Sequence, residues 1–272
     1  FEHFIGQKVK NFLFCPKWKL QTDEKGENFF LAAPSDAIAF VSENGWLFLW
    51  SVSQRARIMT RRILQKGTII QSLYFEATES FVFLQDDCKI SIWSLSLETA
   101  TFERQLETTI DDTPKCMATV NSQIWVGTQQ GKIYRLSSET LEILGVFVAH
   151  EGKPVQCMVC VPYPRCVWTF CAVDQMVYFW DAETCEILVT PKGTSEDILC
   201  VDCSSDGRMV VCGGEGLIWW DVWSFSLIRV EKTPHSGGVG GVVLGKVGHS
   251  GGERKYGMQG WSAGKEGGVA LW

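Results

Sequence analysis

The segment Cys166-Val-Trp-Thr-Phe-Cys-Ala-Val-Asp174-Gln-Met-Val-Tyr-Phe-Trp180-Asp181 decides how the chain is read. Two apolar runs of strand length, 166–170 and 176–180, are rich in β-branched and aromatic residues and flank an Asp-containing turn. That pattern predicts a β-hairpin ending on a buried aromatic anchor.

Working outward, the anchor run recurs. Trp46-Leu-Phe-Leu-Trp50-Ser51, Lys89-Ile-Ser-Ile-Trp93-Ser94, Gly131-Lys-Ile-Tyr-Arg135-Leu136, Leu217-Ile-Trp-Trp220-Asp221 and Gly268-Val-Ala-Leu-Trp272 share its form. The anchors fall at 50, 93, 135, 180, 220 and 272, with Arg135 read as replacing the Trp, and the intervals are 43, 42, 45, 40 and 52. A four-stranded β-propeller blade takes about 40–45 residues. Asn44, Asp87, Asp174 and Glu266 supply a turn six residues before four of the anchors. The preceding strands are legible at 37–41, 80–84, 123–126, 166–170, 209–212 and 259–263, and no long stretch has helical periodicity. The chain therefore reads as all-β, a propeller of six to seven four-stranded blades, with 1–272 as one domain.

The resemblance is to the WD-repeat family. Trp180-Asp181 and Trp220-Asp221 are the Trp-Asp dipeptide, Ala149-His150 is similar to the element that opens such a repeat, and His235 stands where the last repeat would open. The resemblance implies a hydrogen-bonded network of His150, Asp174 and Trp180 inside one blade. Segments 123–136 and 138–142 resemble propellers attached to small-GTPase regulators, DENN-domain exchange factors among them. The chain starts with Phe1 and stops at Trp272, and reads as part of a longer protein. The expectation is either that a strand from 1–20, at 11–15, completes the last blade, or that truncation removed a seventh. The stretch 237–272 is Gly-rich and atypical.

The net charge of −6 argues against a nucleic-acid partner, which would call for surplus Lys and Arg. No apolar run reaches the roughly 20 residues that span a bilayer as a helix. Eleven cysteines, an odd number in a chain too long to need disulfide staples, fit a reducing, cytoplasmic setting.

Motifs with chemical potential read as structural. Cys157-Met-Val-Cys160 and Cys200-Val-Asp-Cys203 lie one blade apart on first strands. Residues i and i+3 of a strand face opposite ways, so neither pair can converge on zinc without breaking its strand. Gly240-x-x-x-x-Gly245-Lys246 lacks the Ser or Thr of a phosphate loop, since Val247 follows. Asp86-Asp87 and Asp111-Asp112 are expected at turns. Catalytic residues, metal and cofactors are all expected to be none.

The basic run Arg55-Ala-Arg57-Ile-Met-Thr-Arg61-Arg62-Ile-Leu-Gln-Lys66 follows the first anchor and should form an outermost strand. Such charges protect a sheet edge, and they could also meet an acidic protein or anionic lipid headgroups. Trp18 and Trp223 fall outside the anchor pattern and are candidate contact residues. The functional expectation is a non-catalytic protein-interaction scaffold, a targeting or regulatory domain of a larger cytosolic signalling or trafficking protein. Its partner would be a small-GTPase pathway component or another part of its own parent chain. The alternative is a phosphoinositide-binding, membrane-targeting propeller that uses Arg55, Arg57, Arg61 and Arg62.

Overall fold

The computed structural model describes residues 9–15, 20–22, 29–31, 37–42, 44–51, 56–75, 78, 80–96, 101–171, 173, 176–191, 198–232, 235–246, 258–264 and 269–271. Every regular element among them is a β-strand. Besides a short hairpin, β2 (Leu20–Thr22) with β3 (Phe29–Leu31), the described strands form six antiparallel sheets with the strand order of propeller blades.

The first sheet runs β1 (Val9–Cys15), β4 (Ala37–Ser42), β5 (Trp46–Ser51), β6 (Ala56–Arg62), and the second β7 (Ile69–Phe75), β8 (Ser80–Gln85), β9 (Lys89–Ser96), β10 (Thr101–Thr109). The third comprises β11 (Pro114–Val120), β12 (Gln123–Thr128), β13 (Lys132–Ser137) and β14 (Ile143–Val148). The fourth is β15 (Cys157–Val161), β16 (Cys166–Cys171), β17 (Met176–Asp181), β18 (Ile187–Val189); the fifth is β19 (Cys200–Cys203), β20 (Met209–Gly213), β21 (Gly216–Asp221), β22 (Ser226–Lys232). The sixth has three strands among the described residues, β23 (Val239–Lys246), β24 (Met258–Gly264) and β25 (Val269–Leu271). The second to fifth sheets are meanders whose strands are joined by short turns and pair antiparallel, whereas in the first sheet β1 pairs with β4 across the segment that holds β2 and β3.

Two corrections to the sequence reading follow. The segment 11–15, a candidate to complete the last blade, lies in β1, which pairs with β4 and heads the first sheet. It pairs there from Val9↔Ser42 to Cys15↔Ala37, with a register shift between Val9 and Asn11. The third anchor is Leu136, not Arg135. In the third, fourth and fifth sheets the turn after the anchor holds a residue at positive φ: Leu141 (57°), Cys185 (60°) and Phe225 (51°). Each lies four residues beyond Ser137, Asp181 and Asp221, which aligns Leu136 with Trp180 and Trp220. Leu136 is fully buried, as that place requires, and Arg135 points to the other side of its strand.

Two compact units are distinguished, Phe1–Pro114 with Leu136–Leu144, and Lys115–Arg135 with Gly145–Trp272. The core of the first packs Leu47 and Leu49 of β5 against Phe81 and Phe83 of β8, with Phe102 of β10 edge-on to Phe81 at 5.4 Å. Burying each such Phe stabilises the fold by about 1.5–3 kcal/mol. The second unit packs Trp168 and Phe170 of β16 with Phe179 of β17 and Trp220 of β21. The central strands β8 and β16 are buried along their whole length, which explains their nearly unbroken apolar sequences.

Candidate functional site

His150 and Trp180, two of the residues the repeat pattern singles out, meet at a common hydroxyl within the second unit. Trp180 Nε1 donates to Thr169 Oγ1 at 2.9 Å, and His150 Nε2 shares a hydrogen bond with the same oxygen at 3.0 Å. All three residues are buried, and the His150 ring meets Tyr178 edge-on at 4.7 Å. Asp174 lies outside the described residues. Thr169 is the member that sequence reasoning missed. Its signal was a lone hydroxyl in the otherwise apolar strand β16, opposite Tyr178 and so on the face of Trp180. In the sixth sheet the buried His235 Nε2 and Ser262 Oγ make a similar contact at 2.9 Å. The fifth sheet does not repeat it, because Trp220 Nε1 has no hydrogen-bond partner.

Gly131 explains how His150 is held. Its φ is +80°, and a Cβ there would lie 1.8 Å from the backbone oxygen of His150, so only glycine fits. The Gly131 carbonyl accepts the N–H groups of Ala149 at 2.8 Å and His150 at 3.0 Å.

The Asp of each Trp-Asp pair shapes the next turn. Asp181 Oδ1 accepts the N–H groups of Glu183 and Thr184, both at 2.8 Å. Asp221 Oδ1 accepts the Ser224 N–H and hydroxyl, both at 2.7 Å. Hydrogen bonds from Thr184 and Glu183 hold the Asp181 carboxyl below its ordinary range, and those from the Ser224 hydroxyl and N–H do so for Asp221. Trp180 and Trp220 are buried, and Asp181 and Asp221 bond only to their own turns in these contacts.

No protein-family model matches this chain, and no curated protein matches it. The site must therefore be read from geometry.

The paired cysteines do not converge. Cys157 sits in the core around Trp168, whereas Cys160 packs on the cluster around Trp125. Cys203 packs on the first of these and Cys200 on the cluster around Trp219. Burial pushes Cys160 up to about 11 and Cys200 and Cys203 up to about 12, so these thiols are poor nucleophiles and ligands. No group of three or more His, Cys, Asp or Glu suited to a metal occurs among the described residues. Gly240, Gly245 and Lys246 lie in β23, a strand rather than a phosphate-cradling loop. No helix among the described residues is long and apolar enough to cross a membrane.

The basic run forms β6, the outermost strand of its sheet. Arg55 lies outside the described residues. Arg57 and Arg61 are exposed. Arg62 is exposed but pinned: its guanidinium sits 5.7 Å over the Trp46 ring and donates to the carbonyls of Leu64 at 2.8 Å and Gln65 at 3.2 Å.

A different surface is apolar. Ile187, Leu188 and Val189 on β18, and Leu227, Ile228 and Val230 on β22, are exposed on the outermost strands of the fourth and fifth sheets. At one end of these sheets Tyr163 and Trp223 are 64% and 63% exposed. Their turns are adjacent: a Cβ on Gly207 would lie 2.8 Å from the Tyr163 oxygen, and Val222 N–H donates to the Arg208 carbonyl at 3.0 Å. Phe225, two residues after Trp223, packs on Phe179 at 4.9 Å and fixes the turn that displays the indole. Trp18 lies outside the described residues.

Proposed function

We propose that the chain is a non-catalytic, WD-repeat-type platform for protein partners, acting as a targeting or regulatory domain of a larger cytosolic signalling or trafficking protein. The observation that carries this reading is the apolar rim of β18 and β22 with Trp223 at its end. Water-exposed apolar outer strands are an aggregation liability unless a partner covers them. Exposed Trp on a rigid turn is a typical binding anchor. A small-GTPase pathway component or another segment of the parent chain is the expected partner.

The test is quantitative affinity capture with the wild-type chain and with the Trp223→Ala/Ile228→Lys double variant. Proteins retained by the wild type and lost by the variant, at equal melting temperature, support the reading. Identical retention by both baits overturns it.

A second reading rests on Arg57 and Arg61, exposed on β6, which suit an anionic membrane. Salt-sensitive binding to phosphoinositide vesicles, lost in Arg57→Glu/Arg61→Glu, supports it; unchanged binding in that variant removes it.

A further inference from the structure

A cavity of about 600 Å³ opens between the first and second sheets of the first unit. It lies among the residues that follow β6, the β8–β9 turn, and one face of β9 and β10. Its lining holds four cations, Arg62, Lys66, Lys89 and Arg104, against two carboxylates, Asp87 and Glu107. This local positive surplus stands in a chain whose net charge is −6.

The charges share the cavity because of a bulge. Arg104 and Glu107 are three residues apart and would face opposite sides of a regular strand. The register of β10 against β9 shifts between Arg104 and Leu106, so Arg104 pairs with Trp93 and Glu107 with Ser91, on one face. Lys89, Ser91 and Trp93 alternate along β9 and line that same face.

Neutral donors complete the lining. Trp93 Nε1 donates to Ser91 Oγ at 3.0 Å and Gln85 Nε2 donates to it at 3.1 Å. Ser91 and Gln85 are buried. The Ser91 oxygen accepts from both, so its own proton is directed elsewhere. Trp93 is fixed by stacking on Phe102 at 5.3 Å.

Each carboxylate already holds a cation. Lys89 Nζ lies 2.8 Å from Asp87, and Arg104 pairs with Glu107. Both pairs are exposed, and such pairs are weak enough for a stronger anion to reopen. A singly charged ion gains little against two resident carboxylates and fills little of the volume. A ligand with several phosphates, each carrying about −1.5 to −2 at neutral pH, satisfies both constraints.

We propose that this cavity binds a compact organic polyphosphate, met either free in solution or as the headgroup of a lipid. The site does not depend on the interaction-platform reading, and its recognition residues, Arg62 apart, differ from those of the edge strand.

The test is calorimetric titration of the whole chain at 0.15 M salt with inositol hexakisphosphate, inositol trisphosphate and inorganic phosphate. The polyphosphates are expected to bind one per chain, and inorganic phosphate on the order of a hundredfold more weakly. Lys89→Gln/Arg104→Gln should weaken polyphosphate binding about tenfold or more, and Ser91→Ala a few-fold. Lys115→Gln/Arg208→Gln removes as many exposed charges outside the cavity and should change affinity less than about twofold. Glu107→Gln should tighten binding a few-fold, a gain that misfolding cannot imitate. No heat with either polyphosphate, or equal losses in the two double variants, overturns the proposal. Vesicles carrying phosphatidylinositol bisphosphate separate the sources. Binding to them that soluble trisphosphate reverses assigns the site to a lipid headgroup, whereas soluble binding without vesicle binding assigns it to a free polyphosphate.

Discussion

The carboxylate of Asp202, on the first strand of the fifth sheet, accepts the backbone N–H of Leu244 on the first strand of the sixth at 2.7 Å. Its other oxygen accepts the N–H of Cys203 at 2.9 Å. Burial pushes the Asp202 carboxyl above its ordinary range, and the two N–H donors oppose that. Strands β19 and β23 belong to different sheets, so their backbones cannot satisfy each other through a ladder. The Asp202 side chain makes this link, and the Cys200 thiol adds a longer one to the Val239 carbonyl at 3.8 Å.

Asp202→Ala leaves the Leu244 N–H without this acceptor at a buried position. The expected cost is about 1–3 kcal/mol in denaturant unfolding. Local opening should concentrate in the sixth sheet. Hydrogen exchange of the amides in 239–246 should accelerate more than that of 209–213, and uniform acceleration would mean that Asp202 supports the unit as a whole.

Acid should weaken the turns after the Trp-Asp pairs. The Asp181 and Asp221 carboxyls have folded-state values below the ordinary 3.8. A depressed carboxyl gives stability that is present above the unfolded value and lost as pH falls through the folded one. The melting temperature of wild type should exceed that of Asp181→Asn/Asp221→Asn at pH 6–7, and the gap should close below about pH 4. Both residues are only half-buried and solvent screens these bonds, so the gap is small. A gap that stays constant down to pH 3 would contradict the assignment.

Thr169 serves two partners at once. Thr169→Val removes the acceptor of Trp180 Nε1 and the partner of His150 Nε2 while preserving shape. Leaving buried polar groups unpaired costs about 1–3 kcal/mol each. Thr169→Ser keeps the hydroxyl and should recover most of the loss, less the packing of one methyl group. Equal destabilisation by Val and Ser would assign the effect to packing instead.

What was legible in the sequence divides along physical lines. The blade period was visible because every blade needs two apolar runs of strand length for its core, as in 166–170 and 176–180. The edge strand at Arg57 to Arg62 was visible because charge and position agree there. The Thr169 contact was not, because a hydroxyl in a buried strand has meaning only once its cross-strand neighbour is known. The third anchor was misplaced by one residue because Leu136 carries no Trp signal, and the marker that fixes it is a backbone angle at Leu141. The cavity was hidden by the bulge in β10, which has no glycine to announce it.

The thiols should divide by burial. Cys116, Cys157 and Cys212 are buried, and burial pushes Cys116 up to about 12 and the other two well above the ordinary 9.0. A brief iodoacetamide pulse at pH 8 on the native chain should leave these three unlabelled by mass spectrometry, and unfolding in guanidinium should expose them. Labelling of Cys157 in the native chain would show that the core around Trp168 opens readily.

Ser137 holds the place that Asp181 and Asp221 occupy in the next two blades. Its Oγ accepts the N–H groups of Glu139 and Thr140, each at 3.2 Å, whereas Asp181 makes the equivalent bonds at 2.8 Å. A carboxylate acceptor forms shorter and stronger bonds than a hydroxyl. Ser137→Asp should therefore stabilise the chain, by about 0.5–1 kcal/mol after allowance for solvent exposure and the nearby Glu139 and Glu142. For a chain of this size that is a rise of roughly 1–4 °C in melting temperature. Slower exchange of the Glu139 and Thr140 amides should accompany it. A rise without that slowing would place the gain outside the turn, and a fall would mean that repulsion from the two glutamates outweighs the new acceptor.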